Sequence, residues 1–260
     1  MIPSTQSGSD RRFAGVYFSS ARRGATVAVL TSRLDVQSLE TLSPADAADR
    51  VGGFGQATVA VGGPLRPAPA GAAPDGPPGA SLRTGRAVPP RAGEAELLRR
   101  GIPVRKTPAL ESAAPAWMRS AFQLAADLVA RGFPAGREAR EGDRALIETH
   151  PAAAAAALLG RLPLARETLE GRIQRQLALL RERVALRDPM DALEELTAHH
   201  ILSGRLALEG IRSPDELDAL LAAFTAWRAF LYPENVTWLG NEADGWICLP
   251  GKDIPEKFVK

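Results

Sequence analysis

The stretch Ala145-Leu146-Ile147-Glu148-Thr149-His150-Pro151, followed by alanines as far as Ala157, constrains the fold of this chain more than any other. Its apolar triplet reads as a short buried strand, with Glu148 where that strand runs out. His150-Pro151 then ends the strand, because proline restricts the residue before it and brings no N–H to a ladder. Proline also suits the first turn of a helix, which residues 152–159 continue. The chain therefore passes from a central strand directly into a helix, with a carboxylate near the junction. Such a carboxylate can hold a metal or a reacting group; pairing with a nearby arginine is an equally good account of it.

A chain of 260 residues can bury a substantial core, as one large domain or one domain with an insertion. Cys248 is the sole cysteine, so no intramolecular disulfide forms and a reducing compartment is the natural reading. No apolar run approaches the ~18 residues of a membrane span. Residues 1–11 lack the apolar core of a signal peptide and read as a flexible tail. A soluble, cytoplasmic protein is expected. The net charge of +2 does not by itself argue for nucleic acid.

Strands are expected over residues 12–18, 25–31, 34–42 and 57–61, with a short helix opening at Pro44. Ten of the 21 prolines fall between Pro64 and Pro108. Residues 64–93 therefore read as a flexible Pro/Gly-rich insertion, with no helix or strand from 67 to 92. Arg83, Arg86, Arg91, Arg99, Arg100, Arg105 and Lys106 make this region locally basic. That suits an anionic ligand, although a solvated charge run is the plainer reading. Further helices are expected over residues 94–100, 115–131, 168–186 and 189–208, with Leu169, Ile173, Leu177, Leu180 and Val184 as the buried stripe of the third. His199 and His200 are neighbours on a helix and point different ways, so the pair alone is a poor metal site. Residues 236–239 and 246–249 read as extended segments before a charged tail at 251–260.

A second concentration of acids follows Ser213. Ser213, Pro214 and Glu216 spell a capping box with proline in the first turn. Leu217, Leu220, Leu221, Phe224 and Leu231 form an apolar stripe, while Asp215, Asp218, Ala222 and Thr225 share a face of mostly small residues. Asp215 and Asp218, three apart, meet on that face near the positive end of the helix dipole. Capping electrostatics explains two acids there as well as a site does.

The element order suits an α/β domain with a mixed sheet. Six segments, taken in order, resemble domain-of-unknown-function family 429. They are Phe13-Ala14-Gly15-Val16-Tyr17-Phe18-Ser19, Val59-Ala60-Val61-Gly62-Gly63-Pro64-Leu65, Leu97-Leu98-Arg99-Arg100-Gly101-Ile102-Pro103, Ile147-Glu148-Thr149-His150-Pro151, the helix from Leu217 to Ala226, and Gly245-Trp246-Ile247-Cys248-Leu249-Pro250. The resemblance implies a predicted nuclease with a ribonuclease-H-like mixed sheet flanked by helices, spanning residues 12–250 with extra C-terminal helices. It also implies carboxylates on adjacent strands and the last helix holding two Mg²⁺ or Mn²⁺ ions for phosphodiester hydrolysis.

Two positions depart from that pattern. Tyr17 and Gly62 stand where relatives carry aspartate, and neither supplies a carboxylate near pH 7. Glu148, Asp215 and Asp218 remain as candidate catalytic residues and metal ligands. Two readings follow: a degenerate site in a domain that binds nucleic acid or a protein, or an active metal-dependent phosphodiesterase using those three acids. A phosphorylated metabolite as substrate has no phosphate-cradling glycine loop to support it.

Overall fold

Side chains alternate across a strand, so a strand buried on both faces must find a core on each. The computed structural model describes residues 11–19, 24–69, 89–137, 143–194, 197–204 and 208–259. Its strands are β1 (Arg12–Phe18), β2 (Ala25–Leu30), β3 (Val36–Leu42), β4 (Ala57–Val61), β5 (Arg144–Thr149), β6 (Thr237–Asn241) and β7 (Gly245–Leu249). They form one mixed sheet in the order β3-β2-β1-β4-β5-β7-β6. β1, β4, β5 and β7 run parallel, while β2, β3 and β6 pair antiparallel with their neighbours. This mixed sheet flanked by helices is consistent with a ribonuclease-H-like α/β fold.

The helices are α1 (Pro44–Gly52), α2 (Ala92–Arg99), α3 (Ala116–Ala130), α4 (Pro151–Leu159), α5 (Leu169–Arg181), α6 (Pro189–Glu194), α7 (Ala198–Leu202) and α8 (Pro214–Leu231). Phe13, Ala60 and Ile147 pack with α4, α5 and α8 on one face. Val16, Val59, Val61 and Leu146 pack with α1 and α3 on the other. A third cluster, including Leu97, Ile102, Leu239, Ile247 and Leu249, seats α2 against β6 and β7.

The approach of α8 to β1 is unusually close and has a single cause. A Cβ built on Gly15 would lie 2.0 Å from the Ala219 carbonyl oxygen and 2.2 Å from the Ala223 nitrogen. Glycine in the strand and alanines on the helix therefore let the two backbones meet. The Ser213 hydroxyl accepts a hydrogen bond from the Glu216 N–H and the Glu216 carboxylate accepts one from the Ser213 N–H, the capping box expected from sequence. Aspartates 215 and 218 thus sit at a helix end held at both its cap and its flank.

Two helix expectations need correction. Residues 189–208 are not one helix: α6 and α7 are separate, and Thr197 caps the second through the His200 N–H. The helix expected over 168–186 ends at Arg181. Of its named stripe Val184, beyond that end, is buried, whereas Leu169, Ile173, Leu177 and Leu180 are half-buried and the buried face of α5 carries Gly171, Arg175, Gln176, Ala178 and Leu179. Polar groups are buried there because they satisfy backbone. Gln176 Nε2 donates to the Arg187 and Gly210 carbonyls and its Oε1 accepts from the Arg212 N–H. Most of the Pro/Gly-rich expectation lies outside the described residues; residues 67–69 and 89–91 carry no helix or strand, and α2 begins at Ala92. Within the segment read as a C-terminal tail, Phe258 is buried and its N–H donates to the Arg100 carbonyl.

Gly15→Ala is expected to destabilise the fold by about 3 kcal/mol or more, at the upper end of overpacking costs. The midpoint and slope of urea unfolding check this, and an unchanged midpoint would mean that α8 lifts from β1 without penalty.

Candidate functional site

The carboxyl ends of the parallel strands open into a cleft of about 290 Å³ between the two faces of the sheet. Tyr17 from β1, Gly62 after β4, Glu148 from β5, His150 at the start of α4 and Asp218 from α8 all line it. Strand alternation splits these groups. Leu146 packs in the α1/α3 core and Ile147 in the α8 core, so Glu148 falls on the side of Leu146. Tyr17 packs against the α8 core instead. The acids therefore approach the cleft from opposite faces and share it only beyond the strand ends.

Each carboxylate is held by a guanidinium. Arg91, the residue preceding α2, donates to both oxygens of Glu148, from Nη2 to Oε1 and from Nη1 to Oε2 at 3.0 Å. The Leu65 N–H also donates to Oε2, at 3.4 Å. Arg91 Nε and its backbone N–H go to Glu94, which additionally accepts from the N–H and hydroxyl of Thr107. Arg91 and Glu148 are 4% and 5% exposed, so this bidentate pair is fully buried. Burial by itself would lower the Arg91 pKa, but Glu148 and Glu94 more than offset that and hold it above its ordinary value.

On the α8 side, Arg166 plays the same part for three carboxylates. Its Nε donates to Asp218 Oδ2 at 2.5 Å, its Nη2 to Asp215 and its Nη1 to Glu167. The guanidinium also lies over the Tyr17 ring, 5.1 Å from its centroid. The loop carrying Arg166 is fixed from below. Arg175 Nη1 donates to the Leu164 carbonyl, and a Cβ on Gly171 would come within 1.9 Å of the Ala165 oxygen. Burial raises the Asp218 carboxyl, against the pull of Arg166 and Arg175. Burial also raises the Tyr17 phenol, reinforced by Asp218, so the hydroxyl stays protonated at neutral pH.

Gly62 does more than omit a carboxylate. A Cβ there would meet Pro151 Cγ at 2.9 Å and Tyr17 Cδ2 at 3.0 Å. Its φ is not in the left-handed region, so the obstacle to a larger residue is packing rather than backbone strain. The proline that ends β5 and the tyrosine that departs from the family pattern together fill the space an aspartate would need.

Residues 21–244 match the family model described as a protein of unknown function, DUF429. The chain belongs to this family. Comparison with curated proteins and with solved structures gives no match. The donor set of this DUF429 protein, as arranged, does not fit the two-ion clamp that the family resemblance implies. Two of the expected acids are Tyr17 and Gly62, and each of the three that remain is ion-paired with Arg91 or Arg166. Among the described residues no group of three or more His, Cys, Asp or Glu side chains is placed to hold a metal ion, and no helix is long and apolar enough to cross a membrane.

Of the residues named from sequence, Glu148 and Asp218 share the cleft and Asp215 joins Asp218 on Arg166, without lining the cleft itself. The sequence pattern groups Arg91 with a basic run and points to neither Arg166 nor Glu94 as site residues. The local signal for Arg91 was Glu94 three residues later, a capping spacing; nothing local ties Arg91 to a residue 57 positions on. His150 does more than break the strand. Its Nδ1 accepts from the Ala153 N–H at 3.2 Å, which makes it the cap of α4 and places its proton on Nε2.

Arg91→Ala is expected to cost about 3–5 kcal/mol by leaving Glu148 buried and unpaired, and Arg91→Ala with Glu148→Leu much less. Chemical denaturation of both variants checks this; equal losses would show that the charge pair is not the cause. Burial also lowers the His150 pKa to about 4, so between that value and its ordinary one the unfolded chain takes up a proton that the fold refuses. This contribution is present above the ordinary histidine pKa and is lost as pH falls towards 4, by about 3 kcal/mol at most. His150→Asn retains a capping acceptor without titrating, and should flatten that part of the stability–pH curve.

Proposed function

We propose that this DUF429 protein is a non-hydrolytic, ribonuclease-H-like domain that binds a nucleic-acid strand in the strand-end cleft without metal ions. The observation that carries this reading is the pairing of every candidate metal ligand with arginine: Glu148 with Arg91, and Asp215 and Asp218 with Arg166. An acid cluster without its cations repels a phosphodiester. Here the guanidiniums supply the positive charge, and Arg91, Arg105 and Arg166 balance Glu94, Glu148 and Asp218 around the cleft. Arg105 is exposed at its mouth and makes no ion pair or hydrogen bond with the described residues. Trp117 and Tyr17 add aromatic surface, the usual complement to arginine in single-strand binding. A net charge of +2 limits nonspecific affinity, and the sole cysteine suits a reducing, cytoplasmic setting.

One observation favours a second reading, an active metal-dependent phosphodiesterase. Glu148 and Asp218 line one cleft, so a substrate that drew Arg91 and Arg166 aside would bring these acids, with Asp215 behind them, to Mg²⁺ or Mn²⁺. The readings separate in a paired assay. Wild-type protein should leave single- and double-stranded substrates intact in either metal, while binding labelled oligonucleotides in a salt-dependent way. Arg105→Ala should weaken that binding and lower its salt slope by about one. Metal-dependent cleavage that disappears in Glu148→Ala, or Mn²⁺ binding by calorimetry lost in the same variant, would replace the first reading with the second.

A further inference from the structure

The Arg91–Glu148 pair is also a wall. Both residues line the strand-end cleft and a second, larger cavity of about 730 Å³ on the α3 side of the sheet. That volume is in the range of small-molecule sites. Its lining combines an indole, Trp246 of β7, with two exposed arginines, Arg66 and Arg137, that have no carboxylate partner among the described residues. Among the described residues Arg66 hydrogen-bonds through Nη2, which donates to the Ala243 carbonyl at 2.9 Å and the Glu242 carbonyl at 3.4 Å. Its Nε and Nη1 bond none of the described residues and can serve a ligand. Arg137 rests over the Trp246 ring, 5.5 Å from the centroid.

We infer that this second cavity binds a nucleotide, with the base stacked on Trp246 and the phosphate held by Arg66 and Arg137. The inference concerns a different cavity from the cleft above and does not depend on whether that cleft hydrolyses anything. An exposed guanidinium on an indole is held weakly, and a nucleobase stacks on the same ring more strongly. A base therefore displaces Arg137 from the ring and releases it towards the phosphate, so one exchange satisfies both halves of the ligand. Arginine is suited to that second role, because its planar fork matches phosphate oxygens two at a time.

The acids of the lining set the charge the ligand can carry. Asp244 is occupied by the Ala92 N–H, and Glu148 by Arg91. Asp244 keeps its charge, so with Glu111 and Glu242 three carboxylates face the two arginines. That excess of acid bars a highly charged ligand, so a triphosphate is repelled and a single phosphate is the most that Arg66 and Arg137 can hold. Carboxylates can also accept hydrogen bonds from ribose hydroxyls. The shared chemistry is thus a base with a single phosphate, available either as a free mononucleotide or as one residue of a strand.

The test is calorimetric titration of the full chain with adenosine monophosphate, adenosine triphosphate, adenosine and a short single-stranded oligonucleotide. Adenosine monophosphate or the oligonucleotide should bind, adenosine more weakly, and the triphosphate no better than the monophosphate. Preference for the mononucleotide would identify a free-nucleotide site, and preference for the oligonucleotide a strand site. Trp246→Ala should weaken binding about tenfold or more. Arg66→Ala with Arg137→Ala should abolish the advantage of the monophosphate over adenosine. These two arginines are exposed, and Trp246→Phe retains part of the stack, so a folding failure of Trp246→Ala would leave both tests standing. Absence of binding at millimolar concentrations would overturn the inference, as would binding that survives unchanged in the arginine double variant and in Trp246→Phe or Trp246→Ala.

Discussion

The contact between β1 and α8 sets the geometry on which the rest depends. Gly15 removes the one side chain that would hold the helix off the sheet, and Ala219, Ala222 and Ala223 remove those on the other side. Close packing of this kind leaves little room for adjustment, since interiors are nearly as dense as crystals. The depth of α8 therefore determines where Asp215 and Asp218 lie relative to the ends of β1 and β4. With the helix fixed, Arg166 can reach both aspartates from a loop that is itself pinned against α5.

Apart from the exposed Arg105, the charged groups lining the strand-end cleft are paired with one another. Buried ion pairs repay their desolvation only with good geometry and with their remaining hydrogen bonds filled. Both conditions hold for Arg91, which is divided between Glu148 and Glu94 while Thr107 and Leu65 supply further donors to those acids. Arg166 is similarly divided among three acids. Cations fixed to the chain thus stand where the family resemblance implies mobile ones. A guanidinium neutralises a carboxylate but cannot polarise a water as a divalent ion does, so the electrostatic balance of such a cleft can persist without its hydrolytic chemistry.

Much of the fold was legible from residue pattern. β1 and β4 fall at the expected positions, and the helix after His150-Pro151 begins at Pro151, because backbone chemistry of this kind acts locally. The same holds for the capping box at Ser213. The buried face of α5 is not legible in the same way, because a leucine stripe is a local signal, whereas Arg175 and Gln176 are buried by carbonyls and N–H groups from other segments. The break between α6 and α7, with Thr197 capping the second, likewise lay within a continuous helical pattern.

The candidate site divides along the same line. Sequence alone determined that Glu148 ends a strand, that Asp215 and Asp218 share a helix face, and that Tyr17 and Gly62 bring no carboxylate, since each follows from residue type and a period of two or 3.6. Only the tertiary structure decided that Pro151 and Tyr17 occupy the space beside Gly62, that Arg91 crosses 57 positions to Glu148, and that Arg166 crosses 52 to Asp218. Charge pairing acts through space, and which cation meets which acid is set by how the sheet and helices pack.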